Sequence, residues 1–253
     1  MLMEFDHVTY SYPCNPQPSL HQLSLKIPPG RRCAVIGQNG CGKTTLFRIA
    51  NGLYRPTQGI VRWQGKPLKY DRPSLSQLRQ QVGLVFQDPE QQLVAATVEE
   101  DLSYGLYNLG VPTDEIERRV QQTLLDFDLM NLADFPVNYL SLGQKKRVAI
   151  ADVMILRPTL LLLDEPTAYL DPGQTRNLKQ LLNAIQTTGT TIVIATHDLN
   201  FVYDWAEWVF VMHQGKLVLE NTPDRVFSQR QTLEQLGLGV PILVDVLERL
   251  SSP

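Results

Sequence analysis

Two hydrophobic periods take turns along the chain. Residues 1–12 set Leu2, Phe5, Val8, Tyr10 and Tyr12 among polar neighbours before Pro13 interrupts, a pattern that predicts an edge strand. Residues 23–27 predict a second strand, Pro28-Pro29-Gly30 a turn, and 31–36 a buried strand that runs into a glycine-rich loop. The loop opens a helix over 43–51, which Gly52 is placed to end. Strands follow at 61–64 and 82–86, with a short polar helix at 75–80 between them.

From 98 to 130 the spacing becomes helical: Leu102, Leu106 and Leu109, then Ile116, Val120, Leu124 and Phe127, recur every three or four residues. A helix over 144–156, an apolar strand at 160–163, a helix over 173–186 and a strand at 191–195 resume the alternation. That order predicts parallel βαβ units interrupted by a helical insertion. Segments 208–212 and 216–219 flank His213-Gln214-Gly215 as a hairpin. Residues 223–250 read as helical, with Pro241 starting the last element. The stripe of that element, Ile242, Leu243, Val246, Leu247 and Leu250, is expected to pack on the domain, a contact between subunits being the alternative.

Composition narrows the class. The chain has 253 residues, 43% of them hydrophobic, with 23 basic against 26 acidic side chains, so disordered, collagenous and disulfide-scaffold classes are excluded. Its longest purely apolar run, near Leu160–Leu163, is far short of the ~18 residues of a membrane span, and the N-terminus carries no signal pattern. A soluble, cytoplasmic protein is expected. Cys14, Cys33 and Cys41 form neither a CxxC nor a Cys/His cluster, which suggests reduced thiols and no structural zinc. A net charge of −3, with no basic tract beyond Lys145-Lys146-Arg147, leaves no electrostatic footprint for nucleic acid.

Chemistry concentrates in two places. Gly37-Gln38-Asn39-Gly40-Cys41-Gly42-Lys43-Thr44-Thr45 matches the phosphate-loop pattern in its required context, after an apolar strand and before a helix. Gly37 and Gly42 free the backbone to turn N–H groups inward, and the helix N-terminus favours phosphate oxygens. Lys43 would reach the β- and γ-phosphates, and Thr44 can offer its hydroxyl to Mg²⁺. Cys41, beside that N-terminus, is expected to be an acidified, reactive thiol. The second place is the apolar strand Leu160-Leu161-Leu162-Leu163, which delivers Asp164 and Glu165 to its C-terminal edge, where open α/β sheets bind ligands. Asp164 would hold Mg²⁺ and Glu165 would deprotonate an attacking water.

Between these halves lies Leu140-Ser141-Leu142-Gly143-Gln144-Lys145-Lys146-Arg147, with Ser141 placed to cap a helix. This segment resembles the signature motif of ATP-binding-cassette ATPases, which usually carries glycine where this chain has Leu142. The surrounding features fall in that family's order from Tyr12 to His197. The resemblance implies a P-loop NTPase-type parallel sheet core with an N-terminal antiparallel β subdomain and a helical insertion subdomain. It implies an ATPase domain over 1–240, the insertion spanning about 98–156, and a C-terminal helix over 241–253 packed on it. The implied nucleotide contacts are Tyr12 on adenine, Gly37, Asn39, Gly40, Cys41, Gly42, Lys43, Thr44 and Thr45 on phosphate, and Ser141, Gly143 and Gln144 on the γ-phosphate of ATP held by a second subunit. Gln87 resembles the family's glutamine loop, which touches Mg²⁺ or water, and His197 its switch histidine. Ala168-Tyr169-Leu170-Asp171 resembles the loop that crosses the dimer interface.

Phe86-Gln87-Asp88-Pro89-Glu90-Gln91-Gln92-Leu93, Thr97-Val98-Glu99-Glu100-Asp101 and Tyr104-Gly105 look like the ATPases of energy-coupling-factor importers, especially of cobalt and nickel. The stretch 237–250 is also similar to theirs. That resemblance implies ATP and Mg²⁺ as ligands, a transmembrane coupling subunit and a small substrate-capture subunit as partners, a second ATPase subunit, identical or related, and residence on the cytoplasmic face of the membrane. A soluble cassette ATPase acting on DNA, ribosomes or an assembly machine is the alternative, although such proteins usually add a second cassette, a coiled coil or a basic tract. A nucleotide-binding regulator without turnover would be expected to lack one of Lys43, Asp164, Glu165 and His197, all of which are present.

Overall fold

The computed structural model describes residues 1–13, 15 and 17–251, so Cys14 lies outside the described residues. The period-2 segments build two sheets. One is antiparallel, in the order β2 (Leu20–Ile27), β1 (Met3–Tyr10), β4 (Gln58–Trp63) and β5 (Lys66–Pro67). The other runs β10 (Lys216–Asn221), β9 (Trp208–His213), β3 (Arg32–Ile36), β8 (Thr191–Ala195), β7 (Leu160–Asp164) and β6 (Val82–Val85). All its pairings are parallel except the β9–β10 hairpin.

Helices join and cover the strands. They are α1 (Lys43–Ala50), α2 (Arg72–Gln81), α3 (Val98–Asn108), α4 (Thr113–Asp126), α5 (Leu142–Met154), α6 (Pro172–Thr187), α7 (Leu199–Trp205), α8 (Pro223–Phe227), α9 (Arg230–Gln235) and α10 (Ile242–Ser251). The five parallel strands of the larger sheet are buried on both faces, while the edge strand β10 is not. Cys33, Val35, Leu160, Leu162 and Val193 point toward α1 and the antiparallel sheet, while Ala34, Ile36, Leu161, Leu163, Ile192 and Ile194 pack under the other helices. Double-sided burial is why these strands read as unbroken apolar runs rather than as alternating ones.

Four details correct or sharpen the sequence expectation. First, β1 is not an edge strand: β2 and β4 flank it, and Pro13 falls after its end, where a missing N–H costs no ladder bond. Second, the helical stretch at 98–130 is two helices, because Gly110 (φ 70°) and Pro112 break it. The break takes Leu109 off the buried stripe, leaving it 38% exposed. Third, the helical stretch 223–250 holds two short helices, α8 and α9, ahead of its last element, α10, which begins just after Pro241 as expected. Fourth, the stripe of α10 does not pack on the domain: Ile242 is 68% exposed, and Leu243, Val246 and Leu247 are exposed as well. Among the contacts of this helix are an Arg230–Asp245 ion pair, the Ile242 N–H donated to Asn200 Oδ1, and Val244 against the core. The side chain of Leu250 lies outside the described residues. Among the described residues no helix is long and apolar enough to cross a membrane.

Candidate active site

Four neighbouring parallel strands, β3, β8, β7 and β6, end on the same edge, and each hands its loop to one cleft of ≈ 1190 Å³. Ligands bind at such carboxyl edges, in the crevice that opens outside the strand ends. From β3 come Asn39, Gly40, Gly42, Lys43, Thr44 and Thr45, from β8 His197, from β7 Asp164 and Glu165, and from β6 Gln87. Tyr12 closes the cleft from the antiparallel sheet.

The loop after β3 is shaped by exclusion. Gly42, at φ 106°, precedes α1, and a Cβ there would stand 2.6 Å from the Ser19 carbonyl oxygen. No side chain caps α1 and no acid sits in its first turn, so the unpaired N–H groups at that end are left for an anion. The Lys43 ammonium, itself buried, donates to the carbonyls of Gly37 (2.8 Å) and Gln38 (3.3 Å), which holds a cation beside those N–H groups. Thr45 Oγ1 is 2.8 Å from Ser19 Oγ and 3.1 Å from the Tyr12 hydroxyl. Tyr12 also packs edge-on against Tyr10 and Tyr54.

Cys41 departs from expectation. Its side chain turns into the core rather than the cleft, and burial pushes the thiol up from its ordinary value, outweighing the nearby Lys43 charge. An unreactive thiol is therefore expected despite the helix N-terminus.

Asp164 and Glu165 leave β7 in different surroundings. Burial raises the Asp164 carboxyl, opposed by a hydrogen bond from Thr44. A buried carboxylate, a threonine hydroxyl and the Gln87 amide on one cleft form an all-oxygen set of the kind Mg²⁺ takes, and a divalent cation would offset the cost of Asp164's burial. Glu165 adopts a left-handed backbone, φ 46°, and its N–H donates to the Ala195 carbonyl at 2.7 Å. Its Oε2 lies 2.9 Å from His197 Nδ1, while the imidazole is 68% exposed.

The signature residues are elsewhere. Ser141, Gly143 and Gln144 line a separate cleft of ≈ 520 Å³ that contains no phosphate-loop residue. Ser141 and Gln144 cap α5 reciprocally, Ser141 Oγ accepting from the Gln144 N–H and Gln144 Oε1 from the Ser141 N–H. That leaves the Ser141 hydroxyl proton to donate. Asp171 caps α6 in the same way, and Tyr169 beside it is exposed.

Two contacts had no signal in the sequence. Lys145 pairs with Glu90 at 2.5 Å, tying α5 to the segment after Gln87. Lys146 reaches the carbonyls of Glu165, Pro166 and Ala168 at 3.3, 2.9 and 2.8 Å. In the sequence both read as solvated helix charges.

A phosphate loop on β3 with an acidic pair on β7, two strands away, defines a P-loop nucleoside triphosphatase. Residues 20–168 match the ABC transporter family model. The energy-coupling factor transporter ATP-binding protein EcfA of Methanocaldococcus jannaschii is 43% identical over 92% of this chain and 83% of its own length. The cobalt import ATP-binding protein CbiO of Salmonella paratyphi A is 42% identical over 94% and 88%. The structure of CbiO1 from Clostridium perfringens, part of the CbiONQ ABC transporter complex, superposes with a TM-score of 0.84 at 38% identity, over 98% of both chains. The chain belongs to the ABC transporter family, as an ATP-binding subunit of the energy-coupling-factor and CbiO type, and is an ATPase.

Proposed function

We propose that the chain binds ATP with Mg²⁺ in the larger cleft and that its turnover powers uptake of a metal ion, cobalt or nickel, or of a vitamin. The phosphates would lie on the first turn of α1 and Lys43, the adenine beside Tyr12, and the metal among Thr44, Asp164 and Gln87. Mg²⁺ would neutralise charge on the phosphate oxygens. Glu165 takes the proton of the attacking water, and His197 steadies the carboxylate through the 2.9 Å contact.

The observation that carries this reading is the separation of the two half-sites. Ser141 and Gly143 stand on their own cleft, so a γ-phosphate held by Lys43 meets them only if a second ATPase subunit, identical or related, packs head to tail. Two ATP molecules would then be buried between two subunits, and ATP would favour the closed pair by the contacts available only there. Closure would move a transmembrane coupling subunit docked on the cytoplasmic side. A groove suited to it lies between the segment after β6 and the helical insertion, lined by Leu53, Phe86, Val94, Tyr104 and the acids Asp101 and Asp152, with Leu53, Val94 and Tyr104 exposed. A small membrane subunit would capture the substrate. Cobalt is favoured because a relative is named for cobalt import.

Affinity purification from gently solubilised membranes, with mass spectrometry of partners and elemental analysis, tests this. A multi-span protein with a small membrane subunit and bound cobalt or nickel is the expected result. Recovery from the soluble fraction with ribosomal or DNA-associated partners would replace the transport reading with that of a soluble cassette ATPase.

A further inference from the structure

Lys146 lies in the second turn of α5, the helix that Ser141 caps and whose first turn carries Gly143 and Gln144. It is 6% exposed, and the three donors of its ammonium meet three backbone carbonyls, those of Glu165, Pro166 and Ala168. Those carbonyls belong to one strained segment. Glu165 is left-handed at φ 46° and Tyr169 at φ 63°, a region that side chains with a Cβ rarely occupy. The Glu165 peptide groups are thus held at both ends, the N–H by Ala195 and the carbonyl by Lys146.

We propose that Lys146 is a positioning residue for ATP hydrolysis: from the signature helix it fixes the backbone that carries Glu165 and leads through Ala168 into the exposed loop at Tyr169. The inference rests on Glu165 being the base. It adds that the helix offering Ser141 to one nucleotide holds the base that acts on the other, so displacement of α5 is transmitted to Glu165 within the same chain.

Burial draws this ammonium down to about 8, with the Glu165 carboxylate opposing the shift. Asp126 and Asp128 at the end of α4, and Arg147 on α5, line the same cleft, and Arg147 is paired with Asp128. A neutral amine keeps two N–H groups and cannot serve three carbonyls. Turnover is therefore expected to fall as pH rises through about 8.

The test is steady-state ATP hydrolysis by the full chain across that range, for wild type, Lys146→Met, Lys146→Arg and Glu165→Gln. Lys146→Met should lower kcat by about tenfold or more with KM within about twofold, because the base is misplaced and the phosphate loop is untouched. Lys146→Arg, which stays charged, should restore most of kcat and move the alkaline limb to higher pH. Wild-type kcat and pH profile in Lys146→Met overturn the proposal. So does an alkaline limb in Lys146→Arg that stays at the wild-type pH, and that comparison stands if Lys146→Met does not fold. Normal turnover in Glu165→Gln would remove the base itself. An inactive Glu165→Gln with both Lys146 variants like wild type would remove only the inference about Lys146.

Discussion

His197 Nδ1 lies 2.9 Å from Glu165 Oε2, and the His197 backbone N–H approaches the same oxygen at 3.4 Å. The two residues follow adjacent parallel strands, so the sheet register sets their contact, and the imidazole restricts where the carboxylate points. His197→Ala removes that restraint without touching the phosphate loop. It should lower kcat by about tenfold to a hundredfold with little change in KM, measured as steady-state phosphate release. Unchanged kcat would show that the carboxylate needs no partner.

Lys43 supplies the charge beside the uncapped start of α1. Lys43→Ala should weaken ATP binding by roughly tenfold to a hundredfold, the worth of one charge-assisted hydrogen bond, measured by isothermal titration. Equal affinity in the two chains would contradict the cradle.

Cys41 and Cys33 are both buried with raised thiols, Cys33 pushed up to about 12. At neutral pH neither should react with iodoacetamide in the folded protein, with or without ATP, and both should react in denaturant. Peptide mapping by mass spectrometry reads this directly. ATP-protected labelling of Cys41 in the native chain would restore the reactive-thiol expectation.

Asp152 is raised to about 7, chiefly by burial and then by the neighbouring Asp101 charge, with the Gln92 amide pulling the other way. Its folded value lies above the unfolded one. Between about pH 4 and about 7 the folded state therefore holds the extra proton, and stability is present at low pH and lost as pH rises through about 7. Asp152→Asn removes the penalty and keeps an acceptor for Gln92. Its melting temperature should exceed that of wild type by roughly 2–4 °C or more at about pH 8, with the gain fading toward about pH 5. A gain independent of pH would mean that the carboxyl does not titrate there.

Much of this was legible in the sequence because it is local. The phosphate loop, Asp164-Glu165, Ser141 as a cap and the apolar strands are carried by contiguous residues whose pattern and chemistry coincide. What escaped depends on distant packing. Whether β1 is central depends on β4, some fifty residues on. The thiol of Cys41 turns on which way one side chain points, and Lys146 looks like a solvated helix charge until the loop after β7 folds over it. The exposed stripe of α10 is the reverse case, an amphipathic pattern that names a face and not what covers it.

Glu165→Gln isolates the base, with bound ATP and its conversion to ADP followed together on the full chain. The substitution keeps the shape and removes the base, so ATP should bind as in wild type while hydrolysis falls by about 10²- to 10⁴-fold. Hydrolysis at the wild-type rate, with ATP bound, would show that Glu165 is not the base.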